Sequence, residues 1–181
     1  MKVSPANMDD DGDLIIRKAK KEDLKKLVEV YSSAYQRIQK YAYKSKNKII
    51  SYLEWLYREE PEGFLVAEEK DRIIGFASFH TNRKEPFKKG KTGELQEIAV
   101  KENYQGRGVG KILFKKVLEY ARRRGCKSIS LWVGEENWPA RSWYERMGFR
   151  EKGGWGEWIR MVKKLSSPEI EEMNKDVREN F

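Results

Sequence analysis

Gln105-Gly106-Arg107-Gly108-Val109-Gly110 stands between a strand-like run and an amphipathic stretch that reads as a helix from about Gly108 to Arg124. Three glycines in five positions let the backbone turn tightly and leave its N–H groups uncovered by side chains. No Ser, Thr, Asp or Asn opens the helix, so its first donors lack a side-chain cap. Uncapped donors at the positive end of a helix dipole form an anion site, most often for phosphate. The spacing therefore predicts a phosphorylated ligand here, with Arg107 and Lys111 adding positive charge beside it.

Two familiar nucleotide loops fail on these residues. A Walker A loop needs G-x-x-x-x-G-K-[ST]; Gly110-Lys111 fits its end, but position 105 is Gln and position 112 is Ile. A dinucleotide fingerprint needs G-x-G-x-x-G; Gly106 and Gly108 fit, but the third glycine falls on Lys111. No Cys/His cluster suggests a metal site. The lone His80 at a strand end reads as incidental. Cys126 has no His–Asp or His–Asn pattern beside it, which argues against a covalent thiol mechanism.

The elements that must position the loop follow from periodicity and punctuation. Leu14 to Arg17 reads as a strand, and Lys20 to Tyr35 as a helix with Leu24, Leu27, Val28, Tyr31 and Tyr35 on one stripe. A polar stretch from Gln36 to Asn47 leads to a helix over Ile49 to Glu59, ended by Pro61 and Gly63. Phe64 to Ala67 and Arg72 to Phe79 form a hairpin around Glu69-Lys70-Asp71. Arg83 to Thr92 reads as a basic loop, Gly93 to Val100 as a strand and Lys127 to Val133 as the next. Asn137-Trp138-Pro139 opens a short helix that Gly148 closes, with Asn137 or Trp138 as cap. Gly153 to Gly156 reads as a turn before a last strand, Trp158 to Lys164. A stripe at Ile170, Met173, Val177 and Phe181 predicts a tail helix over 166–181, and residues 1–13 read as a disordered leader. The order predicts a single α/β domain over 14–165 with a mixed sheet of six or seven strands, its β-α-β unit parallel and right-handed.

Gln105, Gly108 and Gly110 also meet the pattern [RQ]-x-x-G-x-[GA]. Before it stands Glu94-Leu95-Gln96-Glu97-Ile98-Ala99-Val100; after it come Asn137, Ala140, Tyr144, Gly148 and Phe149 in the spacing N-x-x-A-x-x-x-Y-x-x-x-G-F. On these residues the chain resembles the GNAT superfamily of acyl-CoA-dependent N-acetyltransferases over roughly 14–165. The resemblance implies a sheet in which two parallel strands splay apart. It implies acetyl-CoA as cosubstrate and no metal, with the pyrophosphate on the backbone of Gln105, Gly106, Arg107, Gly108, Val109, Gly110 and Lys111. It implies that the pantetheine arm pairs with the main chain of Ile98, Ala99 and Val100 in the manner of an added strand. Asn137 is implied as a pantetheine contact, and equally reads as a helix cap. Tyr144 is implied as the general acid that protonates the leaving thiolate.

A general base must take a proton from the ammonium acceptor. Glu97 and Glu94 are the candidates, Glu97 preferred; three apart on one strand, they face opposite ways unless a bulge intervenes. The acceptor pocket implied by the resemblance draws on Gln36, Tyr41, Tyr43, Trp155 and Trp158. The branch acting on ribosomal-protein N-termini usually has Glu where this chain has Trp132, a departure from that pattern.

Composition sets the outer bounds. The 181 residues carry a net charge of +9, with Lys and Arg scattered along the chain as solvated faces, which argues against a nucleic-acid surface. A single cysteine and the lack of a long apolar run point to a reducing, cytoplasmic setting without a membrane span. The expected activity is direct acetyl transfer to a primary amine, on a small molecule or a protein, within a ternary complex. The alternatives are a CoA-binding sensor without catalysis and a nucleic-acid-associated acetyltransferase. A homodimer through the tail stripe is a further expectation.

Overall fold

The computed structural model describes residues 14–83 and 90–165. The leader, part of the basic loop and the tail helix expected at 166–181 lie outside them, as does the dimer contact built on that tail. Strand β1 (Ile15–Lys18) leads through a 3-10 turn (Lys21–Asp23) into α1 (Leu24–Ala34). A second 3-10 turn (Gln39–Tyr41) sits in the polar stretch before α2 (Lys46–Glu59). Helix α2 begins three residues earlier than its apolar stripe predicts, because the Ser45 hydroxyl accepts the Lys48 N–H as an N-cap.

Strands β2 (Phe64–Glu69) and β3 (Arg72–Arg83) form the expected hairpin, with Lys70 and Asp71 both at positive φ in its tight turn. Both strands beside the basic loop outrun the prediction: β3 continues to Arg83 and β4 spans Lys91–Val100. Then come α3 (Val109–Arg123), β5 (Cys126–Gly134) and α4 (Trp138–Arg146). Strand β6 (Arg150–Trp155) corrects the turn reading at Gly153 to Gly156, and β7 (Trp158–Lys164) follows. Every residue of β6 is exposed, so it lacks the inside–outside alternation by which strands are recognised.

The seven strands lie in the order β1-β2-β3-β4-β5-β7-β6. All neighbours are antiparallel except β4 and β5, which run parallel. Each face carries a core. Helix α3 buries Leu113, Phe114 and Val117 against Ile129, Leu131 and Phe149. On the other face α1 and α2 bury Leu27, Val30, Leu53 and Leu56 against Phe64 and Phe76. Burying such side chains is worth roughly 1.5–3 kcal/mol each and fixes both layers to the sheet.

Two irregularities of β4 shape the surface at its carboxyl end. Strands β4 and β5 pair only from Lys91 to Glu94, against Cys126 to Ser130. Beyond that point the parallel strands part, giving the splay that the resemblance implies. In β4 the register against β3 slips between Leu95 and Glu97, leaving Gln96 as a bulge residue.

Candidate active site

The loop at the end of β4 has the geometry its glycines predict. Gly106 and Gly108 sit at φ +77° and +88°, in the left-handed region. A Cβ on either would meet nothing within 4 Å, so conformation rather than crowding calls for glycine there. Gly108 is the N-cap of α3 and offers no side-chain cap. The first bond of the helix runs from Ile112 N–H to Gly108 O, so the N–H groups of Val109, Gly110 and Lys111 precede the helix's own ladder. Arg107 and Lys111 are exposed beside them, with the Arg107 guanidinium 5.1 Å from the Tyr104 ring centre. The Gln105 side chain turns away from the cradle and donates to Val100 O at 2.9 Å, tying the loop to its strand.

Where β4 leaves β5, its main-chain groups face the gap on alternate residues. Lys101 N–H bonds to Ile74 O of β3, so Ile98 and Val100 direct theirs the other way, toward the gap. The groups of Ala99 face β3, and its methyl joins the core under α1. Ile98 and Val100 can therefore accept an added strand-like partner, while Ala99 contributes packing. Asn137 is the cap of α4: its side-chain oxygen accepts the Ala140 N–H at 3.4 Å.

The bulge at Gln96 decides how the two carboxylates stand. Glu97 lies opposite Ser78, and Glu94 opposite His80. Ser78 and His80 share one face of β3, their side chains 3.5 Å apart, so both glutamates face the α1/α2 side. Both are buried. The expectation of opposite faces holds only for a regular strand.

Glu97 is 8% exposed and held by two phenols from different helices. Tyr35, the C-cap of α1, donates to Oε1 at 3.0 Å, and Tyr52 of α2 donates to Oε2 at 3.3 Å. Burial pushes its carboxyl from the ordinary 4.5 up to about 7, against the pull of the two phenols and the Ile98 N–H. Such a group exchanges its proton near neutrality. The neighbouring phenols respond in turn: burial first, then the charge of Glu97, raises Tyr31, Tyr35 and Tyr52.

Tyr144 packs against Trp143 and Phe149 at ring separations of 5.1 and 5.6 Å. Burial and then the charge of Glu97 raise its phenol, so it holds its proton at neutral pH. His80 is half-buried, its Nε2 3.4 Å from Leu56 O, and burial lowers its pKa, leaving it neutral. Cys126 is buried, and burial raises its thiol, the opposite of an activated nucleophile. No group of His, Cys, Asp or Glu among the described residues is arranged to hold a metal ion.

Of the expected acceptor residues, Tyr41 and Trp158 meet at the end of β5, while Tyr43 lies against Tyr52 of α2. Tyr41 lies against Trp158 at 5.4 Å and over Gly134, where a Cβ would come within 2.3 Å of its ring. Its hydroxyl accepts the Glu136 N–H, and Lys40 pairs with Glu136 and Glu157. The 3-10 turn is thereby strapped to the ends of β5 and the β6–β7 turn. Gln36 and Trp155 remain at the solvent. The residues that sequence reasoning missed are Tyr35, Tyr52 and Trp55. All three lie within the segments read as the first two helices, and only pairing with a strand some 45 to 62 residues away gives the first two their role.

A mixed α/β sheet with a split parallel pair, a glycine loop and an uncapped helix at the mouth of the split defines the class of fold. The Acetyltransferase (GNAT) family model matches residues 18–149, and the chain belongs to that family of acyltransferases. An N-acetyltransferase of Methanocaldococcus jannaschii is 39% identical over 150 residues, 83% of this chain. The chain spans 66% of that relative's length. One from Archaeoglobus fulgidus is 38% identical over 143 residues, 78% of this chain and 97% of its own. A Pyrococcus horikoshii crystal structure superposes with a TM-score of 0.77 at 30% identity, covering 86% of this chain and 100% of its own. The fold is also that of a Thermoplasma acidophilum N-acetyltransferase in complex with coenzyme A, at TM-score 0.68 and 24% identity, covering 84% and 99% of the two chains. Among the described residues no helix is long and apolar enough to cross a membrane.

Proposed function

We propose that the chain transfers an acetyl group from acetyl-CoA directly to a primary amine, on a small molecule or a protein, in the cytoplasm. The observation that carries this reading is Glu97: a buried carboxyl poised near pH 7 beside the mouth of the strand gap. The site fits the cosubstrate. Its open glycine cradle and the N–H groups of Val109, Gly110 and Lys111 suit a pyrophosphate, and Ile98 and Val100 suit an amide-bearing arm. Gly110 supports this, since a Cβ there would meet only ordinary contacts at 3.8 and 3.9 Å, so the protein itself does not demand glycine. When bound, the cosubstrate supplies an activated thioester carbonyl.

Glu97 accepts a proton from the acceptor ammonium, and the freed amine nitrogen bonds to the thioester carbonyl carbon. The nitrogen gives its second proton to water as the carbon–sulfur bond breaks, Tyr144 donates its phenolic proton to the leaving sulfur, and Tyr144 is reprotonated from that water, so that the net proton released is the one Glu97 holds and passes to solvent. Tyr35 and Tyr52 orient the Glu97 carboxylate throughout. Glu94 lies buried on the same face and takes no part in the proton transfer.

The test is thiol release from acetyl-CoA over polyamines, amino acids, aminoglycosides and peptides with free N-termini, measured from pH 5.5 to 9. Acetylation of at least one class is expected, with an acid limb near pH 7. Tight CoA binding with no acetylation of any amine would overturn the reading in favour of a sensor. Salt-sensitive binding to RNA or DNA would favour a nucleic-acid-associated enzyme.

A further inference from the structure

Beside the Glu97 clamp, a groove of about 570 Å³ runs along the flank of α2. Its walls are Tyr43, Asn47, Lys48, Ser51, Tyr52 and Trp55. Asn47, Ser51 and Trp55 are spaced four apart and share one helix face. The rings form a row: Tyr43 to Tyr52 at 5.1 Å, Tyr52 to Trp55 at 6.0 Å and nearly parallel, Trp55 to His80 at 5.5 Å.

The size and lining of the groove discriminate between acceptors. From Asn47 to Trp55 the helix rises about 12 Å, which is the length of about four extended residues at ~3.3 Å each. A compact amine fills a small part of that length. A peptide-like chain matches it: flat amide planes lie on the ring row, and Asn47 and Ser51 offer donors and acceptors to its main chain.

Tyr52 belongs to both the groove and the clamp. Its ring is a groove wall, while its hydroxyl lies 3.3 Å from Glu97 Oε2 and 3.4 Å from the carbonyl of the bulge residue Gln96. A chain resting on that ring fixes the hydroxyl, and with it the second hydrogen bond on Glu97. We propose that the groove binds the leading residues of a peptide-like acceptor, and that Tyr52 is the positioning residue that couples its filling to the Glu97 carboxylate. The proposal rests on Glu97 acting as the base.

The phenols that feel the charge of Glu97 are Tyr31 of α1, Tyr35 at its C-cap, Tyr52 of α2 and Tyr144 of α4; Glu94 and His80 lie on the same sheet face, and Lys48 lines the groove. Tyr35, Tyr52 and the Ile98 N–H hydrogen-bond its side chain.

The test uses an amino-acid amide and the di-, tri- and tetrapeptides that share its first residue, at saturating acetyl-CoA. In the wild type kcat/KM rises with length. Trp55→Ala loses about two- to tenfold on the tetrapeptide and less on the amide, in keeping with the loss of an aromatic contact. Tyr52→Phe removes a hydrogen bond that favours the carboxylate, so the acid limb moves up by about one pH unit. Glu54→Ala, exposed elsewhere on α2, changes neither length dependence nor limb. Melting curves confirm that each variant is folded.

Equal kcat/KM across the series, or an unmoved limb in folded Tyr52→Phe, overturns the proposal. Efficient Glu97-dependent acetylation of compact amines without a length gain sinks the groove alone. Failure to acetylate any amine, with CoA still bound, sinks the function reading and the groove with it.

Discussion

Replacing Glu97 by Gln separates chemistry from stability in a single variant. The side chain keeps its size and can still bond the phenols of Tyr35 and Tyr52. It loses the ability to take a proton, so turnover should fall by about 10²- to 10⁴-fold. Stability should move the other way. The folded carboxyl titrates at about 7 and the free one at 4.5. Between those values the unfolded chain has released a proton that the folded chain retains, so wild-type stability falls as pH rises through this window. At ~1.4 kcal/mol per pKa unit the ceiling of that loss is about 3 kcal/mol, complete above pH 7. Gln has no charge to bury and escapes it. Thermal unfolding at pH 4.5 and 8.5 reads the effect. The variant should match the wild type at the acid pH and exceed it by several degrees at the alkaline one, since ~1 kcal/mol is worth about 2–4 °C in a domain of this size. An equal stability difference at both pH values would refute the desolvation argument. Retained turnover would remove Glu97 as the base.

Tyr144→Phe should cut the turnover number while leaving CoA affinity nearly intact, by rapid kinetics and calorimetry; unchanged turnover would take the phenol out of the mechanism. Gly108→Val should abolish acetyl-CoA binding by forcing a branched side chain into a left-handed position over the N–H cradle, and retained affinity would mean the phosphates rest elsewhere. Gly134→Ala should raise the acceptor KM more than the acetyl-CoA KM, because its methyl would collide with the Tyr41 ring that straps the 3-10 turn to β5; equal effects on both would sever that strap from acceptor binding. Tyr120→Phe should cost about 1–3 kcal/mol in a denaturant melt, since its hydroxyl donates at 2.6 Å to the buried Glu60, which Thr81 also holds; an unchanged midpoint would show that Glu60 is satisfied without it.

The glycine loop, the uncapped helix and the Asn137-to-Phe149 spacing were legible in the sequence because each is a local device. Positive φ at Gly106 and Gly108, the Asn137 cap and the amphipathic stripe of α3 are properties of a few consecutive residues. They suffice for the fold class and the family. Strand β6 escaped because its exposed, glycine-containing run has no inner face to show.

The sequence alone determined the glycine turn at Gly106 and Gly108 and the uncapped start of α3, since torsion freedom and orphan donors are written in the residues themselves. The tertiary structure decided which carboxylate two phenols hold while burial pushes it up to about 7. A one-residue bulge at Gln96 turned Glu97 and Glu94 to the same face, and two helices then closed phenols over Glu97 while shutting out water. Neither the bulge nor the clamp has a local sequence mark, because desolvation and hydrogen bonding depend on what distant segments bring to the same place.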